Sequence, residues 1–222
     1  MRNRIFVLIA SVSAVLLSCM ESGGIEAASL VACGVYEPST HLCDRRDGNL
    51  YGYRKMPGGK HWMAENLRYG LPNSRCYGDD PENCKIYGRL YPRDNGHMLC
   101  PEGWEIPDMA ADWDALAGEV KDNDLKARSG WEPYEGKDAN GEDPYGFAAL
   151  PGGAYRIRLC EENLGEGEYR DWLGKGEIAV FMALSSKYNW TISNNPDPDA
   201  EDKFCIPENA YVSVRCVKVS KQ

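Results

Sequence analysis

The sequence predicts an α+β domain in which one clear amphipathic helix is set among short strands and long irregular loops. Trp113, Leu116, Ala117 and Val120 recur at spacings of three and four residues within 109–121, which gives a helix one apolar face. Several short apolar or alternating stretches lie elsewhere, separated by segments rich in Pro and Gly. Short strands joined in this way are typical of antiparallel sheets with long loops.

The boundaries of the helices follow from local signals. Asp108, which follows Pro107, is a good N-cap and predicts a helix over 109–121. A second short helix is predicted over 122–128. Residues 72–84 are acidic and rich in Pro and Gly, which predicts a loop.

Strands are predicted wherever apolar residues alternate or run together between turns. The segment 176–185, GEIAVFMALS, is mostly apolar and is expected to be buried on both faces. The end of the chain, YVSVRCVKV, alternates most clearly and predicts one continuous strand. The strand segments are 50–53, 61–67, 154–159, 176–185 and 211–219.

The N-terminus has the features of a secretory signal. Arg2 and Arg4 precede an apolar run that ends in Leu-Leu-Ser-Cys at Cys19, and that run is too short to span a bilayer of roughly 30 Å. The ending resembles the bacterial lipobox, whose cysteine is acylated and becomes the first mature residue; an ordinary signal peptide cut nearby is the alternative. We therefore predict a signal peptide over 1–18, a lipidated tether over 19–32 and one domain over 33–222.

Charge and location narrow the range of partners. Removal of residues 1–18 takes away two arginines and no acid, which changes the formal net charge from −9 to −11. Such an acidic chain is a poor partner for nucleic acid, whose phosphates require Lys and Arg.

The protein is expected to contact the membrane through its N-terminal lipid. Because Met20 rather than an acidic residue follows Cys19, we expect an outer-membrane lipoprotein that faces the periplasm or the cell surface.

Eight cysteines remain beside Cys19, and an even number in an exported chain predicts disulfides. Short spacings favour the local pairs Cys33–Cys43 and Cys76–Cys84. Pairing Cys100 with Cys216 would close a loop of more than a hundred residues and contribute about 5 kcal/mol on the chain-entropy model. Cys160 and Cys205 then remain for each other. A zinc site is disfavoured, since the chain has no C-x2-C pair.

A series of motifs in one order then points to a family. They are RRDGNLYGYRKMPGGKHWMAENL, CYGDDPENCKIYGRLY, CPEGWEIPDMAADWDAL, SGW, YGFAALPGGAYR, GEIAVFMALSS and SVRCVKV. Together they resemble the Fibrobacter succinogenes major paralogous domain over about 43–219. The resemblance implies a C-type-lectin-like or sulfatase-modifying-factor-like architecture, but no activity, since such folds host binding proteins and enzymes alike. Each motif also has a purely structural reading as a folding signature.

Two weak candidate sites lie outside those motifs. The acidic loop near the end offers oxygen ligands that suit calcium, but Asp202 stands where an EF-hand requires glycine; no resident cofactor is otherwise expected. Two tryptophans flanked by polar residues are candidates for a sugar-stacking platform, with burial in the core as the alternative. The calcium candidates are Asp197, Asp199, Glu201 and Glu208, and the stacking candidates are Trp172 and Trp190.

The function predicted from these observations is a non-enzymatic domain of the cell envelope that binds or displays a polysaccharide or an envelope protein. No catalytic residue is assigned, because His41, His61 and His97 lie in separate segments without a nucleophile motif. Two alternatives remain: a thiol-dependent or hydrolytic enzyme of the sulfatase-modifying-factor-like fold, and a purely structural envelope component.

Overall fold

The computed structural model describes residues 31–159, 170–186, 188–195 and 204–219, and it has the predicted α+β character. Strands predominate, and the helices are short. The strands are β1 (His41–Cys43), β2 (Leu50–Lys55), β3 (His61–Met63), β4 (Tyr91–Pro92), β5 (Trp104–Glu105), β6 (Gly152–Leu159), β7 (Arg170–Lys175), β8 (Ile178–Phe181), β9 (Trp190–Ser193), β10 (Phe204–Cys205), β11 (Tyr211–Val212) and β12 (Val217–Lys218). The α-helices are α1 (Pro81–Tyr87), α2 (Ala115–Ala117) and α3 (Asp122–Leu125).

The strands form two sheets. The first has the order β1-β2-β3-β12-β5, and all of its pairs are antiparallel. The second has the order β4-β11-β6-β8-β9, and β7 and β10 also pair with β6. Among the described pairs of strands, only β6–β8 is parallel, although three isolated bridges are parallel as well. The strand β6 therefore pairs with four strands of the second sheet, namely β7, β8, β10 and β11.

The C-terminal segment links the two sheets, so the predicted single strand over 211–219 is wrong. Its start, β11, belongs to the second sheet, whereas its end, β12, belongs to the first. Between them, Ser213 bonds to the backbone of Val180 and Met182, and the Val214 carbonyl accepts from Leu67. The segment changes partner within a few residues and stays buried from 212 to 217. The polar residues Ser213 and Arg215 are buried as well, so the alternation does not mark a strand with one exposed face.

The predicted helix over 109–121 is shorter and less regular than expected. Asp108 is its N-cap as predicted, and its carboxylate accepts from the Ala111 N–H at 2.8 Å. A π-helical stretch, Met109–Asp114, leads into α2, and Gly118 follows. Trp113, Leu116 and Val120 are buried as predicted, but Ala117, the last residue of α2, is exposed.

Two further boundaries differ from prediction. The loop predicted over 72–84 contains the start of α1, with Asp80 as the N-cap and Pro81 in the first turn; this combination is a helix start signal. The second predicted helix stops at Leu125, not at residue 128. Lys126 is extended there and bridges to Ala149, so strand-like pairing ends the helix.

The strand β8 separates two hydrophobic cores and is buried on both faces, as predicted. Ile178 and Val180 belong to the first core, which also contains Tyr51 and Leu67. Ala179 and Phe181 belong to the second, which is built around aromatic rings. Alternate residues of a strand point to opposite faces, so a single apolar strand supplies both cores. In the second core, Trp113 lies 4.6 Å from Trp62 and 5.3 Å from Phe181, between ring centroids.

Three complete disulfides lie in the described part of the chain. They are Cys33–Cys43, Cys76–Cys84 and Cys100–Cys216. The third links two residues 116 apart in sequence and ties the β5 region to β12. Cys205 is also in a disulfide, and Cys160 lies outside the described residues.

Candidate binding site

A row of aromatic side chains crosses three neighbouring strands of the second sheet. Tyr211 of β11 lies opposite Tyr155 of β6, which in turn lies opposite Trp172 of β7. Residues directly opposite each other project from the same face, and the ring centroids are 5.1 Å and 4.6 Å apart. Tyr77 extends the row, 5.3 Å from Trp172. These four half-buried residues are the aromatic row.

Arg75 lies against the middle of the aromatic row. Its guanidinium carbon is 4.3 Å from the ring centroid of Tyr155 and 5.5 Å from that of Trp172. Its Nε and Nη2 atoms donate to the Asp79 carboxylate at 3.2 and 3.3 Å. The ring faces attract the cation, and the carboxylate fixes its orientation. The row therefore serves as a platform that positions charged side chains as well as rings.

Two cavities open beside Tyr211. The first has a volume of about 730 Å³, and the second has a volume of about 530 Å³. Both volumes are in the range of small-molecule sites, roughly 300 to 1,000 Å³. Tyr211 lines both cavities, and the two together are called the Tyr211 groove below.

The first cavity combines cations, acids and an amide. Arg93 anchors one side, because its guanidinium donates to the carbonyls of Ala183 and Ser186 at 2.8 and 2.6 Å. Burial lowers the pKa of Arg93, although attraction from Glu208 partly opposes this effect. The residues that line this cavity beside Tyr211 are Pro92, Arg93, Asp94, Arg156, Pro207, Glu208 and Asn209.

Arg156 has an unusual backbone conformation in the first cavity. Its φ of 61° is left-handed, which costs a non-glycine residue roughly 1 to 3 kcal/mol and is common at functional sites. Ala154 and Ile157 are both buried in the first core, although strict alternation would place them on opposite faces. The left-handed residue interrupts the alternation, so β6 buries Ile157 while Arg156 lines the cavity.

The second cavity has a similar composition and a disulfide in its wall. Arg89 is held in place by Ser74, whose Oγ accepts from Nε at 2.7 Å and whose carbonyl accepts from Nη2 at 3.0 Å. Nη1 of Arg89 lies 3.7 Å from the sulfur of Cys76 and 3.6 Å from that of Cys84. The residues that line this cavity beside Tyr211 are Pro72, Asn73, Ser74, Arg75, Cys76, Asp79, Pro81 and Arg89.

The comparison with known families agrees with the order of motifs. Residues 57–218 match the Fibrobacter succinogenes major domain (Fib_succ_major). The chain belongs to the Fibrobacter succinogenes major domain family. No curated protein and no solved structure matches the chain. The matched range spans the aromatic row, the Tyr211 groove and the whole second sheet, but β1 and β2 of the first sheet precede it.

Three sequence motifs of the Fibrobacter succinogenes major domain meet at one buried residue, Arg215, which is 1% exposed. Its guanidinium donates to the Asn66 side-chain oxygen at 2.8 Å and to the carbonyls of Phe147 and Ala148. Burial lowers the pKa of Arg215 to about 9, against attraction from Asp143 and Glu65. Within the described part of the chain, no carboxylate forms an ion pair with Arg215. Backbone carbonyls are the main acceptors for its charge, which assigns these motifs a structural role.

The two tryptophans proposed as a stacking platform make different contacts. Trp172 is in the aromatic row, whereas the ring of Trp190 stacks on Trp113 of the second core, 5.6 Å away between centroids. Among the described residues, the buried Nε1 atom of Trp190 has no hydrogen-bond partner. Of the two candidates, only Trp172 lies beside the groove residues, through its contact with Arg75.

The calcium candidates are placed only in part. Asp197, Asp199 and Glu201 lie outside the described residues, and Glu208 is exposed at the first cavity. The part of the chain that the structure describes contains no group of three His, Cys, Asp or Glu residues arranged for a metal ion.

The lipidation prediction also falls outside the described part, because Cys19 and most of the tether precede residue 31. In the ranges that are described, no helix combines the length and hydrophobicity that crossing a membrane requires.

Proposed function

We propose that this chain is a non-enzymatic binding domain of the bacterial cell envelope and that it holds carbohydrate in the Tyr211 groove. The observation that carries the proposal is the position of Tyr211, which lines both cavities and stands at the end of an aromatic row. A sugar ring presents apolar C–H groups on its faces and hydroxyls at its edges. A half-buried tyrosine offers a matching apolar face together with a polar tip.

The polar lining of the groove supports the same ligand class. Each cavity combines arginine, carboxylate and asparagine side chains, which together supply donors and acceptors for hydroxyl groups. Positive and negative side chains nearly balance in the lining, and the chain as a whole carries a formal net charge of −9. This electrostatic setting favours a neutral polyhydroxylated ligand over a polyanion.

Export is part of the proposal. We infer that the signal peptide over 1–18 is removed, that Cys19 is lipidated, and that the domain lies at the outer membrane. Disulfides support an oxidising compartment, because they persist outside the cytosol, and the three in the described part include one that spans 116 residues. Metabolic labelling with an alkyne fatty acid tests this step, since Cys19→Ala should abolish incorporation of the label.

The architecture that we propose is C-type-lectin-like. Two features support this architecture. Strands from the two ends of the domain are neighbours in the first sheet, where β12 pairs with β3. Long irregular loops connect the short strands. An experimental structure compared with lectin domains tests this assignment. A different strand order around β12 would contradict it.

Binding to immobilised polysaccharides tests the ligand class. The panel contains β-1,4-glucan, xylan, mannan and chitin, with polygalacturonate as the anionic comparison. We expect retention on at least one neutral polymer and a loss of affinity of about tenfold, or roughly 1.4 kcal/mol, in Tyr211→Ala. Tyr145→Ala, which removes an exposed tyrosine that does not line the groove, is the matched control and should bind like the unaltered protein.

A second pair of variants, at exposed positions, shows whether a loss of binding comes from misfolding. Glu208 and Glu102 are both exposed, so alanine at either position should leave the fold intact. Only Glu208→Ala should weaken binding. If no polysaccharide is retained, or if Glu208→Ala and Tyr211→Ala bind as tightly as the controls, the proposed function is wrong. Cleavage of a panel polymer by the protein would instead support the enzyme alternative.

A further inference from the structure

The two cavities of the Tyr211 groove repeat one another in composition. Each is lined by two arginines, an asparagine, two prolines and at least one carboxylate, and each uses the same tyrosine as a wall. The residues come from segments far apart in sequence, so the similarity does not reflect a repeated motif. Two sites of the same chemistry that share one tyrosine wall suit a ligand that presents the same chemical group twice.

We infer that the groove binds a chain of repeating neutral sugar units, with Tyr211 between two subsites, rather than a single sugar. The inference rests on the proposed function and names the form of the ligand. A monosaccharide could occupy one cavity, but only an oligomer could contact both.

The sheet places the subsites close together. Tyr211 pairs with Pro92 of β4 on one side and with Tyr155 of β6 on the other. Pro92 of β4 and Arg156 of β6 line the first cavity, and Tyr155 supports Arg75 of the second. Neighbouring strands are about 4.8 Å apart, so Pro92 and Tyr155 are separated by roughly 10 Å. A short oligosaccharide can cross this distance.

The arginines are held in place in both subsites. Arg93 is fixed by the carbonyls of Ala183 and Ser186 in the first, and Arg89 is fixed by Ser74 in the second. Each subsite also has a second arginine: Arg156, which is left-handed, and Arg75, which is paired with Asp79. Groups that are already ordered lose little conformational entropy on binding. The arginine side chains of both subsites are therefore already ordered before a ligand binds.

Affinity as a function of oligomer length tests this inference. The probes are β-1,4-linked glucose, xylose and mannose oligomers of one, two, four and six units, titrated into the full-length protein by calorimetry. We expect the affinity to rise at least tenfold between one and four units and then to level off in at least one series. Equal affinity at all lengths would overturn the two-subsite arrangement while leaving carbohydrate binding intact.

A matched pair of variants assigns the subsites. Asn209 lines the first cavity and Asn73 lines the second, and both are exposed. Each alanine substitution should weaken binding of the four-unit oligomer several-fold, and a monosaccharide should be affected by only one of them. Asn123→Ala, an exposed position that does not line either cavity, is the control.

The outcomes separate the two proposals. If only one variant weakens the four-unit oligomer, the ligand occupies one cavity and the inference is wrong, although the proposed function stands. If no oligomer of any length binds in all three series and the polysaccharide panel is also negative, the proposed function itself fails.

Discussion

Replacement of Arg215 by methionine tests whether the three motifs that meet at this residue have a structural role. The change keeps a long apolar side chain but removes the donors to the Asn66 side chain and to the carbonyls of Phe147 and Ala148. All of these contacts are buried or half-buried, so water cannot readily replace the guanidinium.

The magnitude follows from two opposing contributions. Hydrogen bonds from a charged donor contribute roughly 1.5 to 3 kcal/mol each, and three acceptors lose theirs. Removal of the charge also relieves its burial, which is strong enough to lower the pKa of Arg215 to about 9. Each buried acceptor left without a partner costs about 1 to 3 kcal/mol, and the relief of burial offsets part of that total. We expect Arg215→Met to reduce the free energy of unfolding by about 3 kcal/mol.

Urea denaturation of the oxidised protein measures this loss. With a slope of about 2 kcal/mol per molar, the midpoint should fall by roughly 1.5 M. The matched control is Arg45→Met at an exposed position, where the change should be within about 0.5 kcal/mol. A loss below about 1 kcal/mol, or equal losses in the two variants, would refute the reasoning.

Two other predictions concern stability. Burial of Glu65 opposes its ionisation, but hydrogen bonds from the Gly52 N–H and Arg68 outweigh this effect and lower the pKa below 4.5. The ionised Glu65 therefore stabilises the fold fully above its unfolded-state pKa. This stabilisation is lost as the pH falls through the folded-state pKa. Glu65→Gln should therefore be less stable at pH 7, and its deficit should shrink below about pH 4.5; a deficit that does not change with pH in denaturant titrations would contradict this. Replacement of both Cys100 and Cys216 by alanine should cost about 5 kcal/mol, against about 2.5 for the pair that closes the shorter Cys76 loop; equal losses in denaturation curves would argue against the chain-entropy account.

Local signals in the sequence were sufficient for several elements. The N-cap at Asp108 depends on residues within one helical turn, and the burial of β8 on both faces follows from its continuous apolar run. The favoured disulfide pairs depended on spacing and on the number of cysteines. For the helix cap and β8 the signal and its structural consequence lie in the same segment, whereas the disulfides required a choice among many possible pairings.

Elements that depend on distant partners were not predictable in the same way. The alternating pattern over 211–219 conceals a change of sheet, because Ser213 and Val214 bond to different elements. The alternation in this segment cannot reveal which neighbour each residue meets. The start of α1 could have been predicted from local residues, since Asp80 and Pro81 form a helix start signal. The predicted loop over 72–84 did not take this signal into account.

The aromatic row is the main part of the candidate site that the sequence did not predict. Tyr77, Tyr155, Trp172 and Tyr211 come together only through the pairing of β6 with β7 and β11 and the approach of the segment before α1. Nothing in their sequence spacing indicates this register. Trp172 was identified from its polar flanks, but the same criterion also selected Trp190, which packs on Trp113.

Nuclear magnetic resonance mapping of ligand contacts tests the central claim most directly. The protein is labelled with ¹⁵N and titrated with the β-1,4-linked four-unit oligomer that binds most tightly in calorimetry. We predict saturable shifts of the backbone amide signals of Tyr211, Asn73 and Asn209, while the indole signal of Trp190, which packs against the second core, stays in place. Shifts confined to residues remote from Tyr211, with the groove amides unchanged, would contradict the assignment of the Tyr211 groove as the carbohydrate site.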